Sequence, residues 1–187
     1  MTADDRRLLD AAVRGDERAA HELVHRHGGR LHACALRILG DDGAAEEVVQ
    51  DAFSKLFRSV ATLRSDARLS TWLHAVAVNR CRDLLRRASF RRALHVQPLA
   101  DDMRDHLPDP HQSLETRERD ARLRCALDGL QPDLREVIAL RFASGLSYLE
   151  IADVLGCAEG TVASRLHRAL VRLGASLTAS GFTREEA

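Results

Sequence analysis

Residues 147–173 limit the possible folds of this chain more than any other stretch. Ser147 and Glu150 have the spacing of a capping box, in which each side chain satisfies a free amide in the first turn of a helix. Gly156 follows an apolar segment, at a point where a sharp turn between helices needs a residue that tolerates positive φ. The stretch therefore predicts two short helices joined by a tight turn.

The second of these helices has two chemically different faces. Its apolar residues recur at helical spacing and predict a buried stripe, formed by Val162, Leu166, Ala169 and Leu173. Arg165, Arg168 and Arg172 fall on another face, and residues 160–173 contain no acid. An amphipathic helix with a cationic outer face, held across a short partner helix, is the form that enters a DNA major groove. An ordinary helical hairpin with a solvated basic face is the alternative that this stretch alone leaves open.

The composition favours small helical domains over a sheet. The chain has 187 residues, of which 45% are hydrophobic and only 4% are aromatic, and glycine and proline are sparse. Lysine plus arginine and aspartate plus glutamate both number 28, so the net charge of +0 does not predict a nucleic-acid partner. Any such prediction depends on where the charges lie along the chain.

The N-terminus and the cysteines predict a cytoplasmic protein. Residues 1–20 have no apolar core and do not resemble a signal peptide, and no apolar run approaches the roughly 20 residues that a membrane span needs. The four cysteines are far apart and form no CxxC pair, which fits a reducing compartment: Cys34, Cys81, Cys125 and Cys157. Cys157, just after the turn glycine, is expected to be a buried free thiol.

Helical patterns also cover the N-terminal half of the chain. Residues 4–14 and 16–27 are predicted as helices, with the second ending at the Gly28-Gly29 pair, and residues 31–39 are again helical. A turn at residues 41–43 precedes a helix with acids in its first turn and a broad apolar stripe, as in a helical bundle. A polar loop is predicted at residues 63–69.

Residues 70–87, STWLHAVAVNRCRDLLRR, form a second candidate nucleic-acid-binding helix. Asn79 can recognise a base edge, and the arginines near the end of the helix can hold phosphates. Residues 80–92 contain six arginines against Asp83 alone and are the most basic segment of the chain. The alternative is a core tryptophan at Trp72, a capping asparagine and a solvated basic helix end. From this segment alone, that alternative is the favoured one.

Residues 93–113 differ in character from the helices on either side. Three of the four prolines lie here, and four aspartates stand against Arg104. The absence of helical periodicity predicts an extended, flexible acidic linker. Helices are predicted to resume at residues 114–130 and 132–142. The fold class is therefore all-α, with two small helical domains at residues 1–95 and 114–178, a linker at 96–113 and a tail at 179–187; the C-terminal domain is a helix-turn-helix.

A literal H-E-x-x-H pattern occurs at His21, Glu22 and His25. On a helix it places two imidazoles on one face for zinc, with the glutamate as general base. No metalloprotease third-ligand motif follows, and a chain with nine histidines meets the pattern by chance fairly often. We expect an exposed or half-buried helix here, with no metal and no cofactor. Since no nucleotide-binding glycine loop and no nucleophile elbow occurs, no catalytic residue is predicted.

Taken together, these segments resemble the extracytoplasmic-function group of bacterial RNA polymerase sigma factors. Residues 43–60, GAAEEVVQDAFSKLFRSV, are similar to the helix with which that group binds core polymerase. Residues 70–87 are similar to the helix that opens and recognises the promoter −10 element. Residues 127–170 are similar to the domain that recognises the −35 element. The resemblance covers nearly all of residues 8–173.

The resemblance implies roles for particular residues. Those implied to contact core polymerase are Glu46, Gln50, Asp51 and Phe53. Those implied to contact the −10 element are Leu69, Trp72, Asn79, Arg80, Arg86 and Arg87. Asn79 falls where the family recognises a flipped non-template base. Those implied to contact −35 bases and phosphates are Thr161, Ser164, Arg165, Arg168 and Arg172.

Two positions depart from the family pattern. Leu69 stands where the family often has an aromatic residue, which alters the wedge beside the melted base. Ala163 stands where a basic residue is common, so one phosphate contact should be missing. The slope of the logarithm of the DNA-binding constant against the logarithm of the salt concentration should then be smaller by about one. Both departures leave the promoter sequence open.

The resemblance implies a transcription factor without enzymatic activity. It would bind core RNA polymerase and promoter DNA, be controlled by an anti-sigma factor and be monomeric when free. A stand-alone helix-turn-helix repressor or activator is an alternative; it would have to dimerise on a palindrome, and no heptad or separate dimer surface is apparent. A metal-dependent hydrolase at His21 and His25 is a third hypothesis.

Overall fold

The computed structural model describes residues 3–58, 68–93 and 114–179, which are helical apart from short connections. Within these residues no strand occurs, and the predicted all-α class is confirmed. The helices in chain order are α1 (Ala3–Val13), α2 (Glu17–Leu39), α3 (Asp42–Arg58), α4 (Leu69–Ala93), α5 (Leu114–Asp128), α6 (Pro132–Ile138), α7 (Tyr148–Leu155) and α8 (Glu159–Ala179). A π-helical segment, Ala139–Ala143, continues directly from α6.

Helix α2 is a single helix of 23 residues, so the predicted end at Gly28-Gly29 is wrong. Its start is capped by Asp16, whose carboxylate accepts hydrogen bonds from two amides of the first turn. Gly28 is buried, and a Cβ there would lie 4.0 Å from the Phe53 ring of α3. Close packing of α2 on its neighbours outweighs the roughly 1 kcal/mol that a glycine costs in a helix interior.

Helices α3 and α4 both begin earlier than predicted. Helix α3 starts at Asp42, inside the predicted turn, where the Asp41 carboxylate accepts a hydrogen bond from the Ala44 amide at 2.6 Å. Helix α4 starts at Leu69, which was predicted to end a polar loop but is only 1% exposed. Residues 63–67 of that loop, the linker at 96–113 and the tail from residue 180 lie outside the described residues.

One continuous apolar core joins the two halves of the described chain. We call residues 3–58 and 68–93 the N-terminal module and residues 114–179 the C-terminal module. Helix α2 packs against the π segment, and α4 packs against α7. The largest side chains of this shared core include Leu23, Leu31, Leu73, Leu134, Leu140 and Ile151. The sequence predicted both helical units but not that they lie directly against each other.

Candidate polymerase and nucleic-acid interfaces

The helix-turn-helix forms as the sequence predicts. The Ser147 hydroxyl accepts a hydrogen bond from the Glu150 amide at 3.3 Å, and the Glu150 carboxylate accepts one from the Ser147 amide at 2.9 Å. The amide and the hydroxyl of Ser147 both donate to the Glu150 carboxylate and hold its pKa below its usual value. Gly156 ends α7 at φ 64° and supplies the turn. Cys157, predicted to be buried, is only half-buried, because it lies in the turn itself.

Helix α8 presents an open polar face. Its predicted apolar stripe is buried, from Val162 at 0% exposure to Leu173 at 8%. On the opposite side Ser164, Arg168 and Arg172 are exposed. Among the described residues, the Arg168 guanidinium makes only a long 3.4 Å contact, with the Ser164 carbonyl of its own helix. These side chains can therefore reach a ligand without breaking a strong contact.

Thr161 and Arg165 are held more closely than the rest of this face. Both are half-buried. The Thr161 carbonyl accepts a hydrogen bond from the Ser164 hydroxyl at 3.0 Å. Arg165 lies 3.4 Å from the carboxylate of Asp133 in α6, so this arginine has to leave an acid of its own module before it can bind a phosphate or base.

The exposed surface of α3 is acidic and is linked to α4 by ion pairs. Glu46 and Gln50 are exposed. Asp51 lies 2.7 Å from the Arg80 guanidinium, and Glu47 also pairs with that arginine. Partial burial opposes the charge on Arg80, but the two acids outweigh it and raise the pKa of the guanidinium. Two residues predicted to bind different partners, Asp51 and Arg80, thus contact each other here.

The remaining predicted −10 residues lie along one helix but differ in exposure. Asn79 and Arg87 are exposed, whereas Trp72 is half-buried against the core. Arg86 is exposed and pairs with Asp83 one turn earlier. The exposed asparagine and arginines can meet a nucleic acid; Trp72 presents only part of its ring.

Phe53 and Leu69 do not form part of a surface in this structure. Phe53 is 5% exposed and stacks on Phe57 with ring centroids 6.2 Å apart. Leu69 is 1% exposed. Because both lie in the core, they can position their neighbours but cannot contact a partner in this conformation. The contacts that the resemblance implies for these two residues stay predictions.

A charged pair between the modules was not predicted from the sequence. Nε and Nη2 of Arg82 donate to the two carboxylate oxygens of Glu136, each at 2.7 Å. Glu136 is 3% exposed. The signal in the sequence is an acid inside the apolar segment 134–140, because a buried carboxylate requires a partner. The sequence alone gives no means of finding that partner, 54 positions away.

The H-E-x-x-H residues lie on the outer surface of α2. His21 and His25 are exposed, and the Glu22 carboxylate accepts a hydrogen bond from Arg26 at 2.6 Å. Among the described residues, no group of three or more histidine, cysteine, aspartate or glutamate side chains is placed to hold a metal ion. Nor does any helix in the described ranges have the length and apolarity needed to cross a membrane.

Both modules match models of the same protein family. Residues 23–91 match the family described as Sigma-70 region 2, and residues 120–173 match Sigma-70, region 4. The ECF RNA polymerase sigma factor SigM of Mycobacterium tuberculosis is 37% identical over 169 residues, covering 90% of this chain and 82% of that protein.

Two solved structures share the fold. CnrH, in complex with the cytosolic domain of CnrY, has a TM-score of 0.71 and 32% identity, covering 94% of this chain and 98% of that one. The sigma factor RpoE from Bartonella quintana, in complex with the anti-sigma factor NepR, has a TM-score of 0.69 and 28% identity. The match covers 84% of this chain and 96% of that one.

Proposed function

The chain belongs to the sigma-70 family, in its extracytoplasmic-function group, and is a sigma factor that directs promoter-specific initiation of transcription; we propose that it does so through three separate contact surfaces. They are the acidic face of α3, the exposed side of α4 and the outer face of α8. The observation that carries the proposal is the outer face of α8. It is open and cationic, and a capped helix-turn-helix presents it.

The acidic face of α3 is the proposed contact with core RNA polymerase. Glu46, Gln50 and Asp51 point away from the core of the N-terminal module. Such a face suits a basic partner surface and is unsuited to DNA phosphates. Phe53 lies beneath this face in the free chain, and its contact with the polymerase stays a prediction of the resemblance.

The exposed side of α4 is the proposed contact with the −10 element. Asn79 has the donors and acceptors needed to recognise an unstacked base. Arg80, Arg86 and Arg87 would hold the nearby backbone, with Trp72 at the start of the same helix. Melting would then be driven by binding, because unstacked bases gain contacts that the duplex lacks.

The outer face of α8 is the proposed contact with the −35 element in the major groove. Arg165 and Arg168 are the proposed base contacts, and each should contribute roughly 1–3 kcal/mol of discrimination. Thr161, Ser164 and Arg172 complete the set. Ala163, which is exposed between them, supplies no charge.

The organisation of the chain follows from these surfaces. We propose a region 2 domain at residues 1–95, a linker at 96–113 that passes through the polymerase toward the RNA path, a region 4 domain at 114–178 and a tail at 179–187. The protein would act in the cytoplasm as a monomer when free, and it would have no enzymatic activity. It would be controlled by an anti-sigma factor, as the complex of RpoE with NepR supports.

The test is initiation by purified protein and core RNA polymerase on genomic DNA fragments. The proposal expects defined transcript starts that appear only when this chain is added, and loss of those starts when the −35 sequence is replaced. A chain that neither binds core polymerase nor starts transcripts, yet binds a palindromic duplex as a dimer, would instead be a stand-alone repressor or activator.

A further inference from the structure

The last turns of α4 carry an aromatic side chain that the fold does not use. Phe90 is 66% exposed, more than any other large apolar side chain in the described ranges. Cys81 is the last buried residue of α4 among those described, so the end of the helix projects beyond the core. A single exposed apolar residue is ordinary on a protein surface. The exposure of Phe90 therefore needs a second observation before it implies a role.

That observation is the position of Phe90 on the helix. Asn79 and Phe90 are both exposed, and their separation in the sequence is close to a whole number of turns at about 3.6 residues per turn. They therefore lie on the same face of α4, about 17 Å apart at 1.5 Å per residue. Leu73 and Cys81, which pack into the core, lie on the opposite side. An exposed track thus begins at the proposed base contact and ends at an aromatic ring.

The charge along this track suits a nucleic-acid backbone. Arg86 and Arg87 lie one turn before Phe90, so their side chains are neighbours of its ring. Asp83 is an acid in the same track, but Arg86 donates to it. This bond, together with the charge of Arg87, lowers the pKa of Asp83. Since Arg86 compensates the acid and Arg87 is exposed, the end of the track beside Phe90 stays cationic.

An open aromatic ring beside a cation is the combination with which proteins bind single strands. The base stacks on the ring, and the cation holds the backbone. In a duplex the face of a base is covered by its neighbours, so such a site selects unstacked DNA. The distance of about 17 Å corresponds to about five nucleotides at 3.4 Å per nucleotide of a stacked strand. A strand with one base at Asn79 can therefore reach Phe90.

The start of α4 offers no comparable ring. Leu69 is 1% exposed, and Trp72 is half-buried against the core. The resemblance to the family assigns a wedge to this start of the helix and no role to Phe90. The open aromatic surface of α4 is thus at its other end.

We propose that the end of α4 is a stacking site for an unpaired DNA base, formed by the ring of Phe90, with Arg87 holding the adjacent phosphate. The inference rests on the function proposed above, because it extends the −10 contact of α4. The site holds the melted strand at a second point without recognising its sequence, since every base has a face that can stack.

Binding of a sequence-neutral single strand tests the ring. The probe is a fluorescein-labelled oligothymidylate of about 20 nucleotides, added to the full-length chain without polymerase and followed by fluorescence anisotropy. Phe90→Ala should weaken binding by about 5- to 150-fold, the usual effect of losing one stacked base. Phe90→Trp should bind at least as tightly as the unaltered chain, and Phe90→Leu, which is apolar but has no ring, should bind like Phe90→Ala.

Two further variants separate stacking from charge and from general loss of apolar surface. Phe142→Ala removes a ring of similar exposure, 60%, from the C-terminal module and should leave the affinity unchanged. Arg87→Ala should lower the slope of the logarithm of the binding constant against the logarithm of the salt concentration by about 0.7. Phe90→Ala should weaken binding at every salt concentration without changing this slope. Because the altered side chains are exposed, thermal unfolding should be unchanged in all of these variants.

Three results would overturn the stacking site. The first is no binding of the oligothymidylate by the unaltered chain at about 50 mM salt. The second is full affinity in folded Phe90→Ala or in Phe90→Leu. The third is a Phe90→Ala chain that binds the oligothymidylate normally but core polymerase weakly, which would make the ring a protein contact. Failure of the unaltered chain to initiate transcription with core polymerase would refute the proposed function, and the oligothymidylate result would still decide the stacking site.

Discussion

The two helices proposed to contact DNA, α4 and α8, are presented in different ways. Helix α8 buries one regular stripe and leaves its opposite face open, with Arg168 in weak contact with its own helix. Helix α4 has charged side chains that are already engaged by other elements, Arg80 by α3 and Arg82 by α6. Apart from Arg165, which pairs with Asp133 of α6, the first surface is open in the free chain, whereas the second depends on what packs around it.

The largest expected effect comes from the element that supports both helices. Ile151 of α7 is fully buried, and α7 packs on α8 and on α4. Ile151→Ala should lower the free energy of unfolding by about 2–5 kcal/mol, measured by urea denaturation. Leu149→Ala, on the same helix at 62% exposure, is the control and should change it by less than about 0.5 kcal/mol. Equal losses would mean that α7 does not have the buried face described.

The contrast between α4 and α8 can be tested by removing one arginine from each. Arg168→Ala should reduce −35-dependent initiation by about 5- to 150-fold, from a loss of roughly 1–3 kcal/mol, without changing the melting temperature. Arg80→Ala should also remove ion pairs to Glu47 and Asp51, at a cost of up to about 1 kcal/mol in stability. Promoter competition and thermal unfolding measure the two effects. A destabilised Arg168→Ala variant would show that the α8 face is structural.

A buried histidine on α4 makes the stability of the fold depend on pH. His74 is 2% exposed, and its Nδ1 lies 2.7 Å from the Ser70 carbonyl. Burial lowers the pKa of His74, opposed by the Ser70 carbonyl, while the charges of His27 and Arg30 on α2 lower it further and Glu150 on α7 raises it.

Because the folded chain resists protonation of His74, the unfolded chain binds the extra proton. Stability is therefore complete above the unfolded pKa of about 6.5 and falls as the pH decreases below it, by up to about 1.4 kcal/mol per pH unit. The free energy of unfolding should be measured by urea denaturation between pH 7 and pH 5. Its slope against pH should correspond to about one proton fewer in His74→Gln than in the unaltered chain. An unchanged slope would mean that His74 is not buried in the neutral form.

The smallest effect concerns the start of the helix-turn-helix. Ser147→Ala removes the hydroxyl that accepts from the Glu150 amide and should cost about 1 kcal/mol of stability. Because α8 itself is untouched, the relative preference among −35 sequences should not change. A shift in that preference, measured on a panel of −35 duplexes, would show that α7 positions α8 more finely than the packing indicates.

The same contrast explains what the sequence could predict. In α7 and α8 the capping box, the turn glycine and the buried stripe depend on neighbours within 27 residues, and all three were predicted correctly. The course of α2 through Gly28 and the burial of Leu69 and Phe53 depend on packing between distant helices. The pair between Arg82 and Glu136 depends on contact between modules. Local patterns carry no information about such partners.

The central claim is that α4 and α8 contact two separated promoter elements in the initiation complex. The most direct measurement places a photo-crosslinker at Ser89, one turn from Arg86, or at His167, beside Arg168; both positions are exposed. Crosslinks would be mapped on promoter DNA bound to core polymerase and this chain. We expect the Ser89 label to react at the −10 element and the His167 label at the −35 element. Reaction of both labels with a single promoter segment would contradict the account.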